Sequence, residues 1–398
     1  MRQKATYGLY FLLSFLSTGL QSIIPQSHFA RAQHDTVWVG VCLLAGSIAA
    51  IGAVRALSNG RFPDRWTKEA VFAGLVLLWL LLLLGFRVSV SWLFCAIYTA
   101  SRALVYVLLD FIDRSLAGMS RIDTSGHAQR VAVMQLLGLI AAPIWFARAG
   151  TGWLQAAVLT GLLAGSGWAG WGLAPVGTGA TGRVQTRRRE RQPWAGSDVW
   201  FATYILAVAS LAALFAASAV FLLHVLYHSR DAVGAAGLLL TLMNLAAVAT
   251  ALVITRMHTE SKQRYSLWHV IVALGFFCVT AVLWGVNARA YAMLVLLGMA
   301  AGLCYGVFEV LARQDATRPF QLGGEVTLLR LFNNLVNYAT VIASLLLLGC
   351  SLAASTPAGV AMRVLVGLLC LSALSVAAVA AMAYPYCRRS IRLPLSMK

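Results

Sequence analysis

Long uninterrupted blocks of apolar residues constrain this chain more than any other feature. Val71 to Phe86 is one such block, and Val360 to Tyr384 is another that contains a single charge, Arg363. A helix needs roughly 20 apolar residues to cross a bilayer. The strands of a membrane barrel would instead alternate polar and apolar residues in segments of about 10. The blocks therefore predict an α-helical protein that crosses a membrane several times.

The scarcity of charge supports a membrane location. Of the 398 residues, 60% are hydrophobic and 11% are charged, whereas soluble domains carry about 25% charged residues. The net charge of +18 would suit nucleic acid. We exclude a nucleic-acid partner because the basic residues form short clusters between apolar blocks, which is typical of cytoplasmic loops. The lipid bilayer is the expected partner.

The apolar segments divide the chain into two halves. We expect an all-α polytopic membrane protein with twelve transmembrane helices in two pseudo-symmetric six-helix bundles. The predicted domains are an N-terminal bundle (1–175), a cytoplasmic basic linker rich in Gly and Arg (176–198), a C-terminal bundle (199–386) and a basic cytoplasmic tail (387–398). The predicted spans are 6–29, 37–57, 69–87, 91–112, 131–149, 152–173, 199–224, 233–255, 266–286, 291–312, 327–350 and 359–384.

The distribution of Lys and Arg predicts the orientation. Most of these residues lie in the two terminal segments and in the loops after even-numbered spans. The other side of the membrane carries only Arg31, Arg87, Arg148, Arg230 and Arg289. Basic residues concentrate on the cytoplasmic side, so both termini are expected to be cytoplasmic, in the inner (plasma) membrane of a bacterium.

The two halves contain a weak internal repeat. At a fixed offset of about half the chain, Asp110 corresponds to Glu309 and Arg114 to Arg313. In each half an acid precedes an arginine by four residues at the cytoplasmic end of the fourth span of that half. The alternative is that basic loops recur at similar spacing in any twelve-span protein.

The loop after the second span reads Gly-Arg-Phe-Pro-Asp-Arg-Trp-Thr-Lys, from Gly60 to Lys68. It resembles the loop 2–3 signature of the major facilitator superfamily at Gly60, Asp64, Arg65 and Lys68. It departs from that signature at Thr67, where the family usually has glycine. The resemblance implies two six-helix halves and transport by alternating access, in the manner of twelve-span drug and siderophore exporters.

The resemblance also implies a latch on the cytoplasmic side. In the family, the aspartate meets the N-terminal end of a helix from the other half, where the helix dipole favours an anion. The arginine pairs with an acid at the end of the fourth span, for which Asp110 and Asp113 are the candidates here. The alternative is that Asp64 and Arg65 only keep a tight loop soluble.

Two further stretches resemble the family in part. Arg102 lies near the middle of the fourth span and is similar to a basic residue of the family, with Tyr106 in place of its usual glycine. Residues 138–143 resemble the Gly-xxx-Gly-Pro element of the family's exporters, with Ala142 in place of the second glycine. This second similarity favours export over uptake.

Polar residues within spans are the candidate substrate contacts. A charge at the bilayer centre costs at least about 2.5 kcal/mol, so it usually marks function. An arginine in a central cavity would attract an anionic group, although it could instead bind backbone carbonyls or polar neighbours. The candidates are Arg102, Tyr106, Gln21, Gln26, Gln135, Asn244, Asn333 and Asn337. The asparagines could also join helices to one another.

The acids near span ends are the candidates for gating or ion coupling. Asp110 and Glu309 lie close to the cytoplasmic ends of their spans. Arg114 and Arg313 follow each of them by four residues, so structural ion pairs are the alternative. The full set of gating and coupling candidates is Gly60, Asp64, Arg65, Lys68, Asp110, Asp113, Arg114, Glu309 and Arg313.

These features predict a monomeric secondary active transporter that exports a small organic molecule, with an anionic, siderophore-like or drug-like substrate and protons as the candidate coupling ion. The alternatives are an uptake carrier for an organic anion and a membrane receptor or assembly protein without transport. The sequence contains no P-loop, no Ser/His/Asp or HExxH pattern and no CxxC pair. We therefore expect no enzyme activity, no cofactor and no metal site.

Overall fold

The computed structural model describes residues 2–21, 23–30, 36–58, 68–119, 196–227, 231–257, 265–285, 291–317 and 325–391, together with short pieces between 133 and 145. Within these residues the regular structure is helical. The helices are α1 (Arg2–Gln21), α2 (Ile23–Ala30), α3 (Thr36–Ser58), α4 (Lys68–Arg87), α5 (Ser91–Met119), α6 (Gly196–Tyr227), α7 (Ala232–Met257), α8 (Tyr265–Gly285), α9 (Tyr291–Thr317), α10 (Glu325–Ala353) and α11 (Pro357–Ile391).

The predicted all-α, multi-spanning architecture is confirmed. Eight stretches of the described helices are long and apolar enough to cross a membrane, and α4 and α8 contain shorter apolar stretches. These ten stretches coincide with ten predicted spans. The predicted fifth span is described only in pieces and the sixth lies outside the described residues. The count of twelve, like the domain boundaries, therefore stays a prediction.

The described residues of the first predicted span form α1, which ends at Gln21, and α2, which begins at Ile23. Residue 22, between them, lies outside the described residues. Pro25 in α2 cannot donate a hydrogen bond to the carbonyl of Gln21, because proline has no amide hydrogen.

The described helices pack as two groups that meet along a seam. In the N-terminal group, α5 packs on α1, α3 and α4. In the C-terminal group, α6 packs on α7 and α11, α9 packs on α7 and α8, and α8 packs on α11. The seam brings α3 against α10, and α2 against α6 and α7. We call the end of the bundle that carries the connections 88–90 and 354–356 the short-loop end.

Small residues allow α9 to approach α7 closely. A Cβ added at Gly302 or Gly306 would overlap the backbone carbonyl of Met243 or Ala247 in α7. Gly298, one turn earlier on the same face, lies against Leu239. Glycines spaced by four residues are typical of membrane helices that pack through their backbones.

Serine and threonine hydroxyls inside the helices are satisfied mostly by the helix backbone. Ser47, Ser101, Thr250 and Ser351 each donate to the carbonyl four residues earlier at 2.6–2.9 Å. Such bonds let a hydroxyl lie in an apolar medium without a partner from another helix. Hydroxyls with contacts to a second helix are therefore the informative ones.

Candidate functional site

Arg102 lies at the seam between the two groups of helices. It projects from the middle of α5 and is 1% exposed. One guanidinium nitrogen donates to the carbonyl of Leu43 in α3 at 3.2 Å and to the hydroxyl of Tyr98 at 3.1 Å. The other donates to the hydroxyl of Thr340 in α10 at 3.3 Å. The ring of Tyr106 lies 6.0 Å from the guanidinium carbon. Arg102 thus joins α3 and α5 to the C-terminal group.

The space for this side chain depends on Gly46 in α3. A Cβ at Gly46 would lie 2.8 Å from Cδ of Arg102 and 2.8 Å from the Tyr98 ring. The Tyr98 hydroxyl also donates to the carbonyl of Leu20 at 2.8 Å, near the end of α1. Tyr98 therefore links Arg102 to α1, because it accepts a hydrogen bond from the guanidinium and donates one to Leu20.

Thr340 is the point where the C-terminal group meets this network. Its hydroxyl lies 3.2 Å from the hydroxyl of Ser47 in α3 and 2.8 Å from the carbonyl of Asn337 in its own helix. It also accepts from Arg102. Together with Tyr98, these side chains form a small polar layer in an apolar seam, which we call the Arg102 layer (Ser47, Tyr98, Arg102 and Thr340).

The charge of Arg102 is held by neutral groups. Each hydrogen-bond acceptor described for it is a backbone carbonyl or a hydroxyl. Within the part of the chain that the structure describes, its Nε is buried and has no hydrogen-bond partner. A cation in a low-dielectric site attracts a passing anion strongly. This site can therefore hold an anionic group once the helices around it move apart.

Gln26 makes a second polar connection across the seam, closer to the short-loop end. Its amide nitrogen donates to the carbonyl of Ala216 at 2.7 Å, and its amide oxygen accepts from the backbone nitrogen of Val220 at 2.9 Å. Both partners belong to α6, and the side chain is 4% exposed. Ala216 and Val220 are four residues apart, which is the spacing at which a regular α-helix joins a carbonyl to an amide.

Two other polar contacts cross the seam. The guanidinium of Arg55, near the end of α3, donates to the hydroxyl of Tyr338 in α10 and lies 5.7 Å from the centre of its ring. The hydroxyl of Thr241 in α7 donates to the carbonyl of Ile140 at 3.3 Å. Ile140 belongs to the predicted fifth span, so this contact joins that segment to the C-terminal group.

The structure places several predicted site residues inside the protein. Asn244 and Asn337 are buried, and Glu309 is also buried, near the end of α9. Tyr106 and Asp110 are half-buried on α5. Of the substrate candidates, Arg102, Tyr106 and Asn337 lie together at the Arg102 layer, whereas Gln26 lies at α6. Their roles in substrate binding or gating stay predictions.

Other predicted site residues fall outside what the structure describes. Gly60, Asp64, Arg65 and Gln135 are outside the described residues. For a further group the helix backbone is described but the side chain is not: Gln21, Lys68, Asp113, Arg114, Arg313 and Asn333. The predicted cytoplasmic latch therefore stays a prediction.

The sequence reasoning missed several polar residues that the fold brings together. Tyr98 precedes Arg102 by four residues, so the spacing alone indicated that they share a helix face. Ser47 and Thr340 lie in other helices, and no spacing rule connects them to Arg102. In the C-terminal group His269 was missed, although Tyr204 is a polar residue of the predicted seventh span; Nδ1 of His269 lies 3.3 Å from the Tyr204 hydroxyl, and both residues are buried.

Comparison with known proteins identifies the fold of this chain but finds no protein with a related sequence. No protein-family profile matches the chain, and no curated protein matches it. The chain is similar to the crystal structure of the nucleoside transporter NupG, with a TM-score of 0.67 and 13% identity over 96% of this chain and 99% of that one. The crystal structure of a point mutant of NupG gives a TM-score of 0.68 and 14% identity over the same shares.

A second transporter shares this arrangement. A bacterial homolog of the human lysosomal transporter Spinster, in an inward-facing and unoccupied conformation, gives a TM-score of 0.66 and 10% identity over 98% of this chain and 96% of that one. The chain has the major facilitator fold. The major facilitator fold consists of two six-helix halves, so the Arg102 layer and Gln26 both lie where its two halves meet.

Proposed function

We propose that this protein is a secondary active transporter that moves a small organic molecule across a membrane by alternating access. The major facilitator fold supports this proposal, and so do the hydrogen bonds that join the two helix groups at uncharged acceptors. Such bonds contribute about 0.5–1.5 kcal/mol each between neutral groups and about 1.5–3 kcal/mol where an arginine donates, so single bonds can break and re-form in every cycle. A monomer in a bacterial inner membrane, with both termini cytoplasmic, is part of the proposal.

The substrate in this proposal carries an anionic group that binds Arg102. The single observation that supports it is the burial of a full positive charge among neutral acceptors, with Nε unpaired among the described residues. A carboxylate or phosphate could accept a pair of hydrogen bonds from the guanidinium. Siderophore-like and drug-like molecules with such a group are the proposed substrate class.

Export is the proposed direction. Gly138 begins the segment that resembles the exporter element, and a Cβ there would lie 2.7 Å from the backbone nitrogen of Phe15 in α1. A small residue at this position therefore lets the predicted fifth span pack tightly on α1. Protons are the proposed coupling ion, and Asp110, Asp113 and Glu309 are the proposed carriers. Exchange of one anion for another is the alternative.

A nucleoside is the second candidate substrate, because NupG is a nucleoside transporter and covers nearly this whole chain. Nucleosides have no anionic group, so this candidate does not need the charge of Arg102. The two candidates therefore differ in what replacement of Arg102 should do.

Transport by the purified protein in proteoliposomes tests the proposal. The panel contains small carboxylates, phosphorylated organic molecules and uncharged nucleosides, each with and without a pH gradient. We expect an anionic member to be transported, and the variant Arg102→Gln to raise its KM by about 10- to 100-fold, as expected when a charged hydrogen bond is lost. Arg87→Gln is the control, because Arg87 is exposed at the end of α4.

Other outcomes of the transport experiment would support one of the alternative functions. Nucleoside transport that Arg102→Gln leaves unchanged would contradict the anionic substrate and support the second candidate. Transport rates that do not depend on the pH gradient would exclude proton coupling. A deletion strain distinguishes the direction, since loss of an exporter raises the cellular content of its substrate and loss of an uptake carrier lowers it. Binding without transport would indicate a receptor.

A further inference from the structure

We propose that Gln26 is a latch that closes the short-loop end, and that this end opens when α6 exchanges the two hydrogen bonds to Gln26 for one backbone hydrogen bond of its own. The inference rests on the proposed alternating-access function, because it requires that the two halves separate at this end. It assigns Gln26 a positioning role in transport instead of the substrate contact predicted from the sequence.

The spacing of Ala216 and Val220 in α6 is the basis for the proposed exchange of hydrogen bonds. Ala216 and Val220 are four residues apart in α6, and the carbonyl of the first and the amide of the second form one rung of a regular helix. Here the carbonyl accepts from the Gln26 side chain at 2.7 Å and the amide donates to it at 2.9 Å. The side-chain amide thus carries the donor and the acceptor that the rung requires.

This arrangement lowers the free-energy cost of releasing Gln26 from α6. When Gln26 withdraws, the carbonyl of Ala216 and the amide of Val220 can bond to each other, so neither is left unsatisfied in the apolar interior. The Gln26 amide then faces an end that has opened to water, which satisfies it. Gln26, Ala216 and Val220 therefore keep hydrogen-bond partners in both the closed and the released states, so the two states can lie close in free energy.

The latch is anchored on its own half. The imidazole of His28 stacks on the ring of Phe94 in α5 with centroids 3.7 Å apart, and the ring of Phe29 meets the same phenylalanine edge-on at 5.5 Å. These contacts hold α2 against the N-terminal group, while Gln26 reaches into the C-terminal group.

Two further contacts join the helix groups near the short-loop end. A Cβ at Gly40 in α3 would lie 3.2 Å from Cβ of Leu348 in α10. α2 also packs on α7. Since both contacts connect the two halves at the end where Gln26 lies, the hydrogen bonds of Gln26 belong to a closed end.

Hydrogen–deuterium exchange of the full-length protein, read by mass spectrometry in lipid nanodiscs without substrate, tests the latch. Gln26→Met removes both hydrogen bonds and keeps the length of the side chain. We expect exchange to rise by roughly fivefold to tenfold, in line with the loss of hydrogen bonds, in peptides from the short-loop ends of α3 and α6. Peptides that cover residues 199–205, at the other end of α6, should not change.

A matched control and a second variant complete the experiment. Ser27→Ala is the control, because the Ser27 hydroxyl donates at 3.0 Å to Ile24 within α2 and does not reach α6. It should match the unmodified protein. Gln26→Glu keeps an acceptor for Val220 but loses the donor to Ala216, so we expect a smaller rise in the same peptides.

The outcomes distinguish a latch at Gln26 from a substrate contact and from a general contribution to stability. Unchanged hydrogen–deuterium exchange in Gln26→Met would overturn the proposal. A uniform rise in exchange over the whole chain would also overturn it, because such a rise indicates a general loss of stability. A weaker substrate affinity with unchanged exchange would also overturn it and return Gln26 to substrate binding. The readout needs no substrate, so a failure of the transport proposal would appear separately, in the proteoliposome experiment.

Discussion

Gly46 is the residue on which the geometry of the Arg102 layer depends. We predict that Gly46→Ala displaces the Arg102 side chain, because the new Cβ would lie 2.8 Å from its Cδ and from the Tyr98 ring. Both neighbours are side chains, so they can shift, at a cost of about 1–3 kcal/mol for an overpacked site. The melting temperature in detergent should fall by several degrees, measured by intrinsic fluorescence.

Gly52→Ala is the matched control for this prediction. Gly52 lies in the same helix, and a Cβ there would meet nothing within 4 Å. Because alanine is favoured over glycine in a helix by up to about 1 kcal/mol, the control should melt at the same temperature or above. Equal melting temperatures for the two variants would contradict the packing at Gly46.

The sequence predicts individual residues of the site only where one helix contains the partners. Arg102 is conspicuous as a charge in the middle of a span, and Tyr98 lies one turn away on the same face. Thr340 is a neutral residue in a distant helix, and its contact with Arg102 depends on how the two groups of helices meet. Gln26 was visible as a polar residue, but its two bonds to the α6 backbone were not.

At the scale of elements, α9 and α7 show why a helix pair needs particular residues. We predict that Gly306→Val prevents stable packing of α9 on α7, since the added atoms would overlap the backbone carbonyl of Ala247, which cannot rotate away as a side chain would. Size-exclusion chromatography of a fluorescent fusion in detergent should show loss of the monodisperse peak.

Gly349→Val serves as the comparison. Gly349 is exposed near the end of α10, and a Cβ there would meet nothing within 4 Å. Both substitutions place a β-branched residue in a helix, so propensity alone predicts equal effects. A monodisperse Gly306→Val variant would therefore mean that α9 and α7 are not packed as described.

Hydropathy predicts where a helix crosses lipid better than it predicts where the helix ends. The predicted fourth span stops at 112, whereas α5 continues to Met119. The predicted last span stops at 384, whereas α11 continues to Ile391 and enters the predicted basic tail. Polar residues continue these helices into water, where backbone hydrogen bonds within the helix persist without an apolar surface.

At the scale of the whole molecule, the predicted orientation in the membrane, with both termini cytoplasmic, rests on the distribution of basic residues. We predict that a fluorescent protein fused after Lys398 is fluorescent in bacteria, and that alkaline phosphatase fused after Ser355 is active, since the first folds only in the cytoplasm and the second only outside it. An inactive phosphatase at Ser355 together with an active one at Lys398 would reverse the orientation.

The overall plan was predictable because it depends on few residues. Apolar blocks, the distribution of Lys and Arg and one loop pointed to the major facilitator fold, and structures with 14% and 10% identity share it. The way the two halves meet was not predictable in the same manner. It depends on contacts such as Arg102 with Thr340, between residues far apart in the chain, which neither hydropathy nor spacing records.

The two hydrogen bonds that join Gln26 to α6 are made by uncharged groups, whereas the latch predicted at the opposite end contains Asp64 and Arg65. Dissolved ions screen exposed charges over about 8 Å at physiological ionic strength, and they leave a buried amide bonded to a backbone almost untouched. Added salt should therefore weaken the predicted latch and leave the two hydrogen bonds of Gln26 in place.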